Sequence, residues 1–228
     1  MFESKYSKLL TILLIVGIIV IVGILGVTGF IIVRNGKLKQ EAESAVDQFK
    51  TQGKENEIAD KDEKQNNTAT NEVITPIIGI ENTITNTITS GNTSNKKMYK
   101  GFPMEGTIEI PAINFQSPVL EDASSKAIEV AVGIYDGPGL NQVGNTTIAG
   151  HNYRDGRFFS NNKKLVEGDK VHITDETGRK ITYTIYKIYT TSPEDSTHLE
   201  RDTEGRREIT LTTCTDDTKS RLIIWAKE

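Results

Sequence analysis

Residues 9–33 form a run of 25 without a single charged side chain, built mostly from Ile, Leu, Val and Gly. At ~1.5 Å rise per residue, a helix of that length exceeds the ~30 Å hydrocarbon core of a bilayer and spans it with some tilt. A cleavable signal peptide is the competing reading. The run is longer than the usual apolar region of such peptides, and no clear small-x-small cleavage site closes it. We read residues 9–33 as an uncleaved signal anchor behind a short tail, residues 1–8. Lys5 and Lys8 precede the run, while Arg34, Lys37 and Lys39 follow it. That count is nearly balanced, so an N-terminus-inside orientation rests on what lies downstream.

Residues 34–98 are rich in Asn, Thr, Glu and Lys, and Phe49 is their one aromatic before position 99. A segment of this kind buries too little apolar surface to offset its ordering entropy. It reads as a polar, largely disordered stalk. Its first part, 39–64, is charged and suits a transient helix. Within 73–90, Ile77, Ile80, Ile84 and Ile88 recur at near-helical spacing, which fits a sticky linker better than a docked helix.

From Tyr99 the character changes. Residues 99–228 hold strand-like stretches, rich in β-branched and aromatic residues and separated by turn residues, at 107–110, 117–120, 145–149, 170–174, 180–190, 208–213 and 221–226. Helical patterns are few and short, at 124–132 and 157–165. The expected fold is mainly β, a closed barrel of about seven to eight strands with short helices. A β-sandwich is the alternative.

The formal net charge of −4 and the lack of a basic cluster give no case for nucleic acid. The single cysteine excludes an intramolecular disulfide and leaves an incidental thiol or a reactive one. Cys214 ends the strand EITLTTC, in which Thr210, Thr212 and Cys214 share one face and Ile209 and Leu211 the other. The polar turn TDDTKS follows, and the return strand opens with Arg221. Such a hairpin sets Cys214 and Arg221 across its mouth. A guanidinium there stabilises a thiolate or a developing oxyanion.

A thiol nucleophile also needs a proton partner. Of three histidines, His172 lies inside a strand and His198 in a polar loop. His151 follows the apolar strand TTIAG and opens the loop NYRDGRFF, a position from which barrels display catalytic groups. Position favours His151 only modestly over the other two. The bland readings are a buried structural thiol, a loop histidine and an edge-strand arginine. Trp225 and Tyr183 read as core or rim aromatics. The sequons at Asn66, Asn92 and Asn145 carry little weight.

The stretch TLTTC at 210–214 resembles the TLxTC signature of sortases, and Arg221 is similarly placed to the family's essential arginine. TIAGHNY resembles the family's segment ending in its histidine, and MEGTIEIPAINFQSPVL its opening strands. The resemblance covers about 99–228. It implies a closed barrel whose thiolate attacks the Thr–Gly bond of an LPXTG-like sorting signal at the C-terminal end of surface proteins. The thioacyl-enzyme is then resolved by an amine of a peptidoglycan precursor or by a pilin lysine. By matching positions, Cys214 is the nucleophile and His151 the acid and then the base. Arg221 positions the substrate and stabilises the oxyanion.

No cofactor is needed for this chemistry. Some sortases bind calcium through the loop before the Cys strand, where Glu194, Asp195, Glu200, Asp202 and Glu204 stand here; five acids in a solvated loop usually mean only a solvated loop. The loop between Thr191 and Arg207 is short for class B, and the Cys–Arg spacing is nearer to class A or D. Nothing before Tyr99 resembles an inhibitory lid, which favours an anchoring enzyme over a pilus polymerase. The implied location is the cell membrane of a Gram-positive organism, with the domain outside. L,D-transpeptidases carry a Ser-x-Gly-Cys-x-Arg pattern that is absent here, and papain-like proteases place Cys before His. A stalked, non-catalytic β-barrel binding module is the competing class, because function belongs to the site and not to the fold.

Overall fold

A computed structural model describes residues 5–63 and 96–228. Helix α1 spans Lys5–Glu63. The chain divides into two compact units, Met1–Ser44 and Ala45–Glu228. In the first, the large apolar side chains from Leu10 to Val33 stand open, between 47 % and 70 % exposed. Among the described residues this is the one helix long and apolar enough to cross a membrane.

The second unit is a β-barrel. Its strands are β1 (Met98–Tyr99), β2 (Phe102–Ile110), β3 (Phe115–Leu120), β4 (Val132–Asp136), β5 (Gly144–Ala149), β6 (Lys170–Asp175), β7 (Lys180–Thr191), β8 (Arg207–Cys214) and β9 (Arg221–Lys227). Neighbours run β1-β2-β3-β4-β5-β8-β9-β7-β6, and an antiparallel β2–β6 pairing closes the ring of eight, β2 to β9. Closure removes the unpaired sheet edges that an open sheet of this size would present. A β-sandwich is thereby excluded. Two pairings are parallel, β3–β4 and β5–β8. The second sets the strand before His151 beside the strand ending at Cys214. Inside the ring, Ile108, Ile148, Ile173, Ile185, Ile209, Leu211 and Ile224 share one apolar core.

Three expectations need correction. Residues 124–132 form successive turns, not a helix, and Val132 opens β4. Val132 is fully buried and pairs with Val119, so a non-local partner overrides the local helical spacing. The second expected helix shrinks to a 3₁₀ turn, Phe159–Lys164, behind Phe158 with φ 48°. A positive φ at an aromatic residue is incompatible with a helix passing through it.

The stalk is the third. Its stretch up to Glu63 is helical, and Ala45–Thr51 belong to the barrel's compact unit. Phe49 is 3 % exposed and packs with Tyr99, Met104, Leu120, Ala127 and Ala131; Ala45 adds to the same cluster. Lys97 Nζ donates to the Phe49 carbonyl at 2.8 Å, and Lys50 pairs with Glu109 on β2. One helical face thus supplies apolar residues at i and i+4, which is what docking requires. The Ile77–Ile88 pattern and the sequons at Asn66 and Asn92 lie outside the described residues. Asn145 is 7 % exposed and its amide nitrogen donates to the Leu199 carbonyl at 2.9 Å, which removes it as a glycan acceptor in the folded domain.

Candidate active site

Strand β8 alternates as its sequence dictates. Ile209 and Leu211 enter the apolar core, and Thr210, Thr212 and Cys214 share the opposite face, on which both threonines are buried and Cys214 is half-buried. Antiparallel pairing with β9 ends at Cys214 opposite Arg221, with the hairpin loop between them. Thr215 N donates to the Ser220 carbonyl at 3.0 Å, closing that loop. Directly paired side chains share a face, and Arg221 Nη1 reaches Cys214 Sγ at 3.2 Å. Both residues are half-buried.

His151 arrives along β5. The parallel ladder ends at Ala149 opposite Thr212, and Gly150 N donates to the Thr212 carbonyl at 3.2 Å. Continuing that register by two residues sets His151 opposite Cys214. Alternation also gives it the face of Asn145 and Thr147, opposite that of Ile148, which is a core residue. Gly150 is required here because a Cβ would lie 2.8 Å from Val132 Cγ1 and 2.9 Å from the Phe159 ring. The glycine therefore lets the chain carrying His151 lie close over the barrel wall. Cys214 and Arg221 are thus in direct contact, and His151 follows the strand that pairs beside theirs, at the same end of the barrel.

Burial pulls the His151 imidazolium below its ordinary pKa, and the negative charge of Glu129 opposes that in part. Burial thus favours the neutral imidazole, the form that accepts a proton. Tyr153 lies beside it, with ring centroids 5.0 Å apart, and the Arg157 guanidinium covers the Tyr153 ring at 4.3 Å. The other histidines stand elsewhere. His172 is on β6 bonded to Thr182 Oγ1 at 2.9 Å, and His198 is buried in the β7–β8 loop.

Of the expected loop acids, Glu194, Asp195, Asp202 and Glu204 bond to residues of that loop or its edge. Asp195 bonds Thr191 and Thr197, which holds its carboxyl down at about 2. Asp202 accepts from Glu204 N, and Glu204 pairs with Arg206. Among the described residues no three acidic, His or Cys side chains group to hold a metal ion.

Sequence reasoning missed two groups. Asn152 Nδ2 donates to the Cys214 carbonyl at 3.0 Å and to Asp216 Oδ1 at 2.9 Å, and Lys163 Nζ meets Asp216 Oδ2 at 2.5 Å. Asp216 is held below its ordinary pKa by Lys163 first and Asn152 second. The only sequence cue was that Asn152 adjoins His151. The second group lies under the β7–β8 loop. Arg201 Nη1 pairs with Glu208 Oε2 at 2.6 Å, Nη2 donates to Asn145 Oδ1 at 2.7 Å, and the guanidinium lies 4.1 Å over Trp225. Arg201 stood unmarked among the charges of a polar loop. Tyr183 is a core residue, bonded to Asn141 Oδ1 at 3.0 Å.

The Sortase domain family matches residues 108–228. A curated relative, Sortase A of Streptococcus agalactiae serotype III (strain NEM316), is 28% identical over 134 residues, covering 55% of this chain and 53% of the relative. The chain thus spans about half the length of the curated relative it matches. Among solved structures, a Clostridium perfringens Sortase D5 transpeptidase shares 31% identity at TM-score 0.50, covering 55% of this chain and 78% of that one. Sortase A from Corynebacterium diphtheriae shares 27% at TM-score 0.51, covering 55% and 60%. With over half of its length matched by the family and a closed eight-stranded barrel of the same kind, this chain belongs to the sortase family of cysteine transpeptidases.

Proposed function

We propose that this protein is a membrane-anchored transpeptidase that cuts LPXTG-like sorting signals through a thioester on Cys214. The observation that carries the reading is the 3.2 Å contact between Arg221 Nη1 and Cys214 Sγ, at a mouth whose ladder register sets His151 on the other side. In the reaction, the Cys214 thiol passes its proton to neutral His151, and the sulfur attacks the Thr carbonyl carbon of the Thr–Gly bond. Arg221, with further N–H groups beyond the one on sulfur, stabilises the oxyanion. Collapse breaks the C–N bond, and His151 gives its proton to the leaving glycine amine. An acceptor amine, from a peptidoglycan precursor or a pilin lysine, then loses a proton to His151 and attacks the thioester. His151 returns that proton to the sulfur, so the enzyme ends as it began.

The open apolar helix supports the anchor. So large an apolar surface is stable in lipid and not in water. In this reading the barrel lies on the extracytoplasmic side, where surface proteins meet the cell wall. The test is mass spectrometry of the full chain in detergent with LPXTG-like peptides and an amine acceptor. Peptide cut after Thr and joined to the amine, with an acyl group trapped on Cys214, is the expected result. No cleavage of any peptide, together with a Cys214 that resists alkylation until the barrel unfolds, would replace this reading with a binding module.

A further inference from the structure

We propose that Asn152 is a positioning residue that holds His151 against Cys214. The inference rests on the roles just assigned to those two residues. In a parallel ladder, the amide of residue 152 would follow that of residue 150 in donating to β8, and its acceptor would be the Cys214 carbonyl. The chain leaves the sheet before that point, because Asn152 bridges to Phe158 and Phe159 N donates to the His151 carbonyl at 3.1 Å. The Asn152 side chain supplies the missing donor instead, with Nδ2 3.0 Å from the Cys214 carbonyl. His151 is therefore bracketed by two bonds to β8. Gly150 N holds the residue before it to Thr212, and the Asn152 amide holds the residue after it to Cys214.

Each polar atom of that amide is used in one orientation. The second N–H goes to Asp216 Oδ1 at 2.9 Å, and Oδ1 accepts from Arg154 N at 3.0 Å. A flipped amide would aim its oxygen at two acceptors. Asp216 is tied in turn to Lys163 on the 3₁₀ turn, so the β8–β9 loop and the His151 loop are joined at one point. A carboxylate at position 152 could accept from Arg154 but not donate to Cys214. The chemistry of the site thus requires an amide of this length.

The experiment compares the full chain in detergent with Asn152→Ala, Asn152→Asp, Asp216→Ala and His151→Ala, by transpeptidation kinetics and by the pH dependence of Cys214 alkylation with iodoacetamide. Asn152→Ala is expected to lower kcat at least about tenfold, with KM within about twofold, as misplacement of a reacting group does. Its alkylation profile is expected to match that of His151→Ala. Wild-type kcat and a wild-type alkylation profile in Asn152→Ala would overturn the proposal. If the alanine variant does not fold, the isosteric Asn152→Asp decides on the same two readouts. A loss in Asp216→Ala as large as in Asn152→Ala would also overturn it, by moving the effect from the Cys214 carbonyl to the loop. If the wild type turns over no peptide, the transpeptidase reading fails by itself, and the alkylation profiles alone judge Asn152.

Discussion

Thr210 and Cys214 stand on the same face of β8, on either side of Thr212, yet their surroundings differ in kind. Around Thr210 the β7–β8 loop is sealed down by Arg201, Glu208, Asn145 and Tyr186, with Glu208 4 % and Arg201 10 % exposed. Around Cys214 the contacts are few: Arg221 on the sulfur and Asn152 on the carbonyl, with the thiol half-exposed. A buried charge pair must be completely partnered, because either ion left alone carries an uncompensated desolvation cost. A nucleophile needs the reverse, a reactive atom left open to substrate. If Cys214 is the nucleophile proposed above, one strand face holds a stability-bearing end and a reactive end, and substitutions at the two should separate activity from stability.

The largest effect tests the reactive end alone. Cys214→Ala should lower transpeptidation by about 10³-fold or more while leaving the melting temperature unchanged, measured by peptide turnover and by thermal unfolding. A large drop in melting temperature would erase the contrast. Next, Arg221→Lys keeps a charge but loses the planar fork, and should cost about 10²-fold in kcat/KM. Full activity in that variant would remove Arg221 from the oxyanion role.

At the other end, Glu208→Gln leaves Arg201 buried without its counter-ion and should destabilise the domain by about 3 kcal/mol. That corresponds to roughly 10 °C in melting temperature for a domain of this size. The folded fraction should keep its kcat, which makes this variant the mirror image of Cys214→Ala.

The smallest effect is on pH. Burial lowers the pKa of His151, His172 and His198 alike, so each imidazole binds its proton more readily in the unfolded chain. Their contribution to stability is present above about pH 6.5 and is lost as pH falls through the lower folded values. The melting temperature should fall between pH 7.5 and pH 5.5. The decline should shrink more in His198→Asn than in His151→Asn, because His198 is 6 % exposed and sits at the sealed end.

The two ends also differ in how far they can be read from sequence. Cys214 and Arg221 are joined by a six-residue hairpin loop, so alternation and one polar turn were enough to pair them. His151 belongs with them through a parallel ladder spanning some sixty residues, which no local pattern encodes; its motif pointed to it where its position hardly did. Arg201 bonds Asn145 across 56 residues and was indistinguishable from other loop charges. Asn152 likewise bonds Cys214 across 62 residues. The stretch 124–132 misled for a related reason, because the parallel partner of Val132 outweighed its helical spacing. The same holds for Phe49, a lone aromatic in a polar segment whose apolar partners come from β1, β2, β3 and the turns before β4.

By itself the sequence determined the apolar span, the mainly β character of residues 99–228 and the hairpin that pairs Cys214 with Arg221, because each follows from periodicity, composition or a turn a few residues long. Only the tertiary structure decided the closure of the barrel through β2 and β6, the pairing of the strand before His151 with the strand ending at Cys214, the bond of Asn152 to the Cys214 carbonyl and the docking of Phe49. Those depend on partners distant in the chain, and the energy that selects them comes from burial and hydrogen bonds that exist only once the barrel has closed.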